Sequence, residues 1–288
     1  LPLRDMSGTR SSFTLSALLR LTRFWNLAII GMAQYFTAFF LIGRYTLTDW
    51  KLLVLSVSTV FIAAAGYIIN DYYDVKIDLI NKPERVVVGK SIPRRYAILF
   101  HTFLSFTGVA LGFLLSWKIA LINFFSSFLL WLYSNNLKRQ PFIGNLAVAL
   151  LTGLSIALLN WLYHSNAVLV NVYASFAFFM TLVREIIKDM EDLKGDNSYG
   201  CKTLPIIWGN RKTKGFLYLL LTFFVSSVVV IHFMYTPLPI YYFLGFLFLP
   251  LIVLVIRLAQ ADTKIDFYNL STLCKLIMLL GILSMALI

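Results

Sequence analysis

Of the 13 Asp and Glu residues in this 288-residue chain, nine fall in two short windows. The first holds Asp71, Asp74, Asp78 and Glu84, and the second holds Glu185, Asp189, Glu191, Asp192 and Asp196. Both contain one spacing, Asp71-x-x-Asp74-x-x-x-Asp78 and Asp189-x-x-Asp192-x-x-x-Asp196. Positions i, i+3 and i+7 share a helix face. Asn70 joins the first stripe four residues before Asp74, and Glu185 joins the second in the same way. Gly195 is expected to end the second helix, which puts Asp196 in the following turn. Stacked carboxylates cannot all stay ionised without positive charge nearby. Mg²⁺ is the natural partner, because it takes oxygen ligands and commonly bridges one or two carboxylates to substrate phosphates. Basic residues adjoin both windows: Lys82, Arg85, Lys90, Arg94 and Arg95 after the first, Lys188, Lys194 and Lys202 around the second. Facing acid clusters flanked by cations describe a diphosphate clamp. Solvated ion pairs at helix ends would account for one such window, but poorly for two of identical spacing.

The elements that carry these windows are membrane helices. The chain is 59% hydrophobic and 13% charged, with 16% aromatic residues and a mean hydropathy of +0.80. Those values exclude both an ordinary soluble domain and a disordered chain. A spanning helix needs about 20 apolar residues. Apolar windows place spans near 24–43, 52–70, 96–116, 119–135, 144–163, 166–187, 215–235, 238–257 and 267–288. Only Trp117 and Lys118 part the third from the fourth. The windows are continuously apolar rather than alternating, which excludes a membrane barrel. The expected fold is all-α: a polytopic bundle of nine transmembrane helices, one domain over 1–288.

Charge placement agrees with nine spans. The N-terminal arm and the loops after spans 2, 4, 6 and 8 carry 21 of the 25 Lys and Arg. The opposite side has Arg44, Lys51 and Lys118, while Lys275 lies in the last span. Cytoplasmic loops collect basic residues, so the N-terminus and both acid windows are expected inside and the C-terminus outside. The formal charge of +12 is thus spent on orientation, and no nucleic-acid partner is expected. Cys201 and Cys274 suggest no disulfide framework, and nothing near Leu1 reads as a cleavable secretory signal. His101, His164 and His232 match no ligand spacing. Asn160 and Lys275 read as packing or snorkelling residues, and Gly108 and Gly112 as a small-residue contact between helices.

The two motifs, Asn70-Asp71-Tyr72-Tyr73-Asp74-Val75-Lys76-Ile77-Asp78 and Asp192-Leu193-Lys194-Gly195-Asp196, resemble those of the UbiA superfamily of intramembrane prenyltransferases. The resemblance covers nearly the whole chain. REIIKDMEDLKGD (Arg184–Asp196), KTLP (Lys202–Pro205), IDLINKPER (Ile77–Arg85), YSNNLKR (Tyr133–Arg139) and GNLAVALLTG (Gly144–Gly153) resemble one branch, the digeranylgeranylglyceryl phosphate synthases. That branch joins geranylgeranyl diphosphate to the hydroxyl of geranylgeranylglyceryl phosphate in archaeal-type ether lipids. Val86 departs from the family, which commonly has Pro there, and the Tyr133–Lys138 spacing is one residue longer than in the quinone branches.

The resemblance implies that Asn70, Asp74 and Asp78 hold one Mg²⁺ and that Asp192 and Asp196 hold another, with Asp71 and Asp189 assisting. It makes Arg85, Lys138 and Lys202 candidates for diphosphate contact. Tyr133 is either a catalytic donor facing the allylic cation or an interfacial anchor. The cation must be kept from water, which calls for a central apolar cavity capped on the cytoplasmic side. An Asp of the second motif or the released diphosphate accepts the hydroxyl proton. The expected partners are a prenyl diphosphate, membrane lipids and an acceptor. That acceptor is a lipid alcohol or, alternatively, an aromatic quinone precursor such as 4-hydroxybenzoate. Protein partners are not legible. An ion-coupled transporter would place its acids nearer the midplane, and the DGxxAR…GxxxDxxxD order of a CDP-alcohol transferase is absent.

Overall fold

A computed structural model describes residues 14–165, 167–235, 245 and 248–287, and the elements described are helical. In chain order they are α1 (Leu15–Leu21), α2 (Phe24–Phe36, continuing as a π-helical turn over Thr37–Ile42), α3 (Trp50–Asn81), α4 (Arg94–Leu115) and α5 (Trp117–Asn135). There follow α6 (Ile143–Tyr163), α7 (Val168–Glu191), α8 (Leu193–Ser198), α9 (Leu204–Tyr235), α10 (Leu249–Gln260) and α11 (Lys264–Ser284). Helices satisfy their own backbone polar groups, the condition for apolar segments this long.

Among the described residues, seven helices are long and apolar enough to cross a membrane: Phe24–Ile42, Trp50–Asn81, Arg94–Leu115, Ile143–Tyr163, Val168–Glu191, Leu204–Ile231 and Lys264–Leu287. Two of the nine expected spans fall outside that set. The fourth is α5, whose 19 residues include Lys118, Asn123, Ser126 and Ser127, so its apolar character is diluted. The eighth, expected over 238–257, begins in residues outside those described and continues as the 12-residue α10.

Local chemistry sets several helix boundaries. Ser116 divides the third expected span from the fourth: it sits in extended backbone (φ −170, ψ 156), closes α4, and accepts a bond from Ile119 N–H to open α5. The break thus falls one residue before the expected Trp117–Lys118 pair. Asp49 caps α3, and Thr263 with Asp266 forms a capping box on α11. At Gly209 (φ 72, ψ 164) the backbone leaves helical geometry inside α9.

Packing fixes the relation of α3, α4 and α5. A Cβ on Gly108 would lie 2.7 Å from Ile62 Cγ1, and one on Gly112 would lie 2.8 Å from Ala120 Cα. Ser58 Oγ donates to the Gly108 carbonyl at 2.7 Å, and Asn123 Nδ2 donates to Ser58 Oγ at 2.7 Å. The small-residue reading of Gly108 and Gly112 therefore holds. The largest buried cluster joins α7, α9, α10 and α11 around Met180, Ile186, Leu217, Phe224, Leu254 and Phe267. Asn160 serves a structural role, bonding Ala167 and Asn171.

Candidate active site

The first acid motif is carried without interruption on α3, a helix of 32 residues. At 1.5 Å per residue that is about 48 Å, against a hydrocarbon core of about 30 Å, so its last turns reach beyond the apolar stretch. The second motif is divided. α7 ends at Glu191, Asp192 caps it with φ −92 and ψ 5, and Gly195 lies inside the separate helix α8. The single helical face expected for Asp189, Asp192 and Asp196 is corrected accordingly: the break comes at Asp192, not at Gly195.

Asn81, the last residue of α3, explains the break. Its Nδ2 donates to the Asp192 carbonyl at 3.1 Å, and its Oδ1 accepts from Gly195 N–H at 2.9 Å. One buried amide thus grips both sides of the α7–α8 turn. A Cβ at Gly195 would fall 2.4 Å from Asn81 Nδ2, so only glycine permits this approach. Lys264 Nζ, at the start of α11, donates to the Asn81 carbonyl at 2.7 Å.

Lysines and arginines neutralise the two windows. Lys82 lies 3.0 Å from Glu191 and 2.8 Å from Asp192. Burial would lower its ammonium pKa, but Asp192 and Glu191 outweigh that and hold it above the ordinary lysine value. Lys138, from the 3₁₀ turn Leu137–Arg139, contacts Asp74. Arg23 pairs with Asp71 at 2.7 Å and lies over the Tyr67 ring at 4.9 Å. It does so from left-handed backbone (φ 52, ψ 53), uncommon for arginine, in the turn between α1 and α2. Asn145 donates to Asp189 at 2.8 Å.

The windows face each other. Asp78 has Asp71, Arg23, Asp192 and Lys82 as charged neighbours, and Asp196 has Asp192, Lys138, Lys188 and Lys82. Burial, then repulsion from Asp192, pushes the Asp196 carboxyl up to about 7. A cavity of about 220 Å³ adjoins the windows. Asn70, Tyr67, Tyr133, Arg184 and Glu185 form part of its polar wall, and Ile30, Ile62, Leu130, Leu154 and Leu158 part of its apolar wall.

The sequence candidates divide. Asn70, Tyr133 and Lys138 stand with the motif acids or in the cavity wall. Arg85 does not pair with the motif acids: it is exposed, 3.8 Å from Glu84, with its guanidinium over Tyr268. Lys202 is exposed too, and its backbone N–H donates to the Arg139 carbonyl at 2.8 Å. Arg23, Asn81, Arg184 and Lys275 were not legible as site residues, and Glu191 was legible only as a member of the second acid window. Arg23 and Arg184 read as orientation charges, and Asn81 belongs to no acidic spacing. Lys275 lines the cavity.

The donors suit a hard cation in type. They are all oxygens, and Asn70 Oδ1 is buried without a hydrogen-bond partner. Among the described residues no three His, Cys, Asp or Glu side chains converge tightly enough to hold an ion, and Lys82 and Lys138 stand against Asp192 and Asp74.

The family model of the UbiA prenyltransferase family matches residues 31–273. The chain belongs to that family. It is an integral membrane protein and a prenyltransferase. Digeranylgeranylglyceryl phosphate synthase of Thermococcus gammatolerans is 38% identical over 220 residues, 75% of this chain and 76% of that one. The synthase of Methanosphaera stadtmanae is 34% identical over 245 residues, 81% and 86% of the two chains. A solved structure from work on digeranylgeranylglyceryl phosphate synthase in membranes superposes with a TM-score of 0.70 at 26% identity, covering 95% of this chain and 97% of the other. A UbiA homolog from Archaeoglobus fulgidus bound to DMAPP and Mg²⁺ gives a TM-score of 0.64, covering 94% and 99%, and at 16% identity shows a common fold.

Proposed function

We propose that this UbiA-family enzyme transfers a geranylgeranyl group from its diphosphate to the free hydroxyl of geranylgeranylglyceryl phosphate, with Mg²⁺, in ether-lipid synthesis. The observation that carries the reading is the meeting of two acid windows, cross-braced by Lys82 and Asn81, beside a cavity with an apolar wall. The acceptor rests on the two archaeal relatives named for that product. The metal rests on the all-oxygen donors and on the Archaeoglobus homolog bound to Mg²⁺.

Asn70, Asp74 and Asp78 hold one ion and Asp192 with Asp196 the other, with Asp71 and Asp189 in support. When bound, Mg²⁺ supplies Lewis-acid neutralisation of the diphosphate oxygens. Lys138 and Lys82, released from their carboxylates, meet the charge that develops as the allylic C–O bond breaks. Arg85 and Lys202 reach the diphosphate from the exposed side. The apolar wall keeps water from the allylic cation, and Tyr133 presents its ring or hydroxyl there. The acceptor oxygen bonds to the allylic carbon, and its proton passes to Asp192, to Asp196 or to the departing diphosphate.

The chain forms one domain over 1–288 with nine spans, α5 and α10 supplying the fourth and eighth. Its N-terminus and active site face the cytoplasm and its C-terminus faces outward, as the basic-residue asymmetry supports. The test offers purified enzyme labelled geranylgeranyl diphosphate with geranylgeranylglyceryl phosphate and 4-hydroxybenzoate in competition, with and without EDTA. A doubly prenylated glyceryl phosphate formed only with free Mg²⁺ is expected. Prenylated 4-hydroxybenzoate as the main product would move the enzyme to aromatic acceptors.

A further inference from the structure

The polar wall of the cavity holds cations that the motif acids leave unpaired. Arg184 and Lys188 on α7 and Lys275 on α11 all line it. Glu185 is shared between Arg184 and Lys188, the latter at 3.4 Å. Elsewhere each site cation has its acid: Arg23 has Asp71, Lys82 has Asp192 and Lys138 has Asp74. Lys275 forms no ion pair with any described residue, and Arg184, Lys188, Arg23 and Arg85 act on it as like charges, while Glu185 in the same cavity is taken up by Arg184 and Lys188. Arg184 Nε is buried without a hydrogen-bond partner. Lys275 stands eleven residues beyond Lys264, the first residue of α11, about 16 Å along its axis. A cation at such depth among like charges is costly unless an anion joins it.

We propose that Arg184 and Lys275 form a second anion subsite, which binds the phosphate of the acceptor lipid while the donor diphosphate occupies the motif acids. The inference rests on the acceptor reading above. Both substrates then carry phosphate, and seating both on one clamp would set like charges together. Only a three-carbon glycerol separates the acceptor phosphate from the attacking hydroxyl, so its subsite must adjoin the clamp. Arg184, Lys275, Asn70 and Tyr133 share one cavity, as that requires.

The test is Lys275→Met, which breaks no ion pair seen in the structure, with Lys275→Arg as the conservative control. KM is measured for geranylgeranyl diphosphate, for geranylgeranylglyceryl phosphate and for the phosphate-free alcohol geranylgeranylglycerol. Loss of one charge-assisted contact should raise the phosphorylated acceptor's KM about tenfold or more in Lys275→Met. The donor KM should stay within about twofold, the phosphate-free acceptor should not distinguish the variants, and Lys275→Arg should restore the acceptor KM. An unmoved acceptor KM, or an equal rise in donor KM, overturns the subsite while leaving the acceptor reading standing. If the wild-type enzyme does not use geranylgeranylglyceryl phosphate at all, the acceptor reading and the subsite fall together.

Discussion

Adding a single methyl group at Gly195 tests how the two halves of the site are held in register. The alanine Cβ would lie 2.4 Å from Asn81 Nδ2 and 2.5 Å from both Cγ and Oδ1. The Asn81 amide must therefore withdraw, and with it go the bonds to the Asp192 carbonyl (3.1 Å) and from Gly195 N–H (2.9 Å). Each bond is worth about 1 kcal/mol, and stranding buried partners adds about 1–3 kcal/mol. Alanine's higher helix propensity returns about 1 kcal/mol within α8. The expected net destabilisation is about 2–4 kcal/mol, read as a lower melting temperature in detergent. The larger effect falls on turnover, because Asp192 and Asp196 flank the turn that Asn81 holds against α3. A displacement of about 1 Å between the halves should lower kcat/KM by about 10²-fold. Asn81→Ala should lose the same bonds without the clash, so Gly195→Ala added to it should cost little more. Full additivity of the two substitutions, or wild-type activity in Gly195→Ala, would refute the bracket.

Asp74→Ala and Asp192→Ala should each reduce prenyl transfer below detection while leaving the elution profile of the folded protein unchanged; near-normal rates in either would remove the clamp. Asp196 keeps its proton up to about pH 7, so metal binding must displace it, and the Mg²⁺ needed for half-maximal rate should rise about fivefold between pH 7 and 6. The sign is opposite for the metal-free protein: this carboxyl's pKa is raised above the unfolded value of about 3.9, so its contribution to stability is complete below that value and lost as pH rises through 7. A pH-independent Mg²⁺ requirement would contradict this assignment. Gly112→Leu should destabilise by about 2 kcal/mol or more, since even its Cβ would lie 2.8 Å from Ala120 Cα and 3.0 Å from Ala120 N; an unchanged melting temperature would show that α4 and α5 separate easily.

Helix spacing, hydropathy and the small-residue pair are local properties, and they were legible in the chain before any fold was known. The acid stripe of α3 needs only a continuous helix, and Gly108 and Gly112 need only one face. Motif order and spacing also carried the family. The second acid window misled, because its spacing reads as one helix while the bend at Asp192 is held by Asn81, 111 residues away in sequence. Pairings across helices escaped for the same reason. Which lysine meets which carboxylate depends on how α3, the 137–139 turn and α7 pack, so Lys138 came to Asp74 and Lys82 to Asp192 while Arg85 turned to Glu84 and Tyr268. Lys275 looked like a stray charge in an apolar span, and only the packing of α11 against α7 put it in the cavity. Composition and periodicity decide what a segment becomes and which residues share its surface; the partner each charge finds is set by contacts between distant segments, which exist only once the bundle has closed.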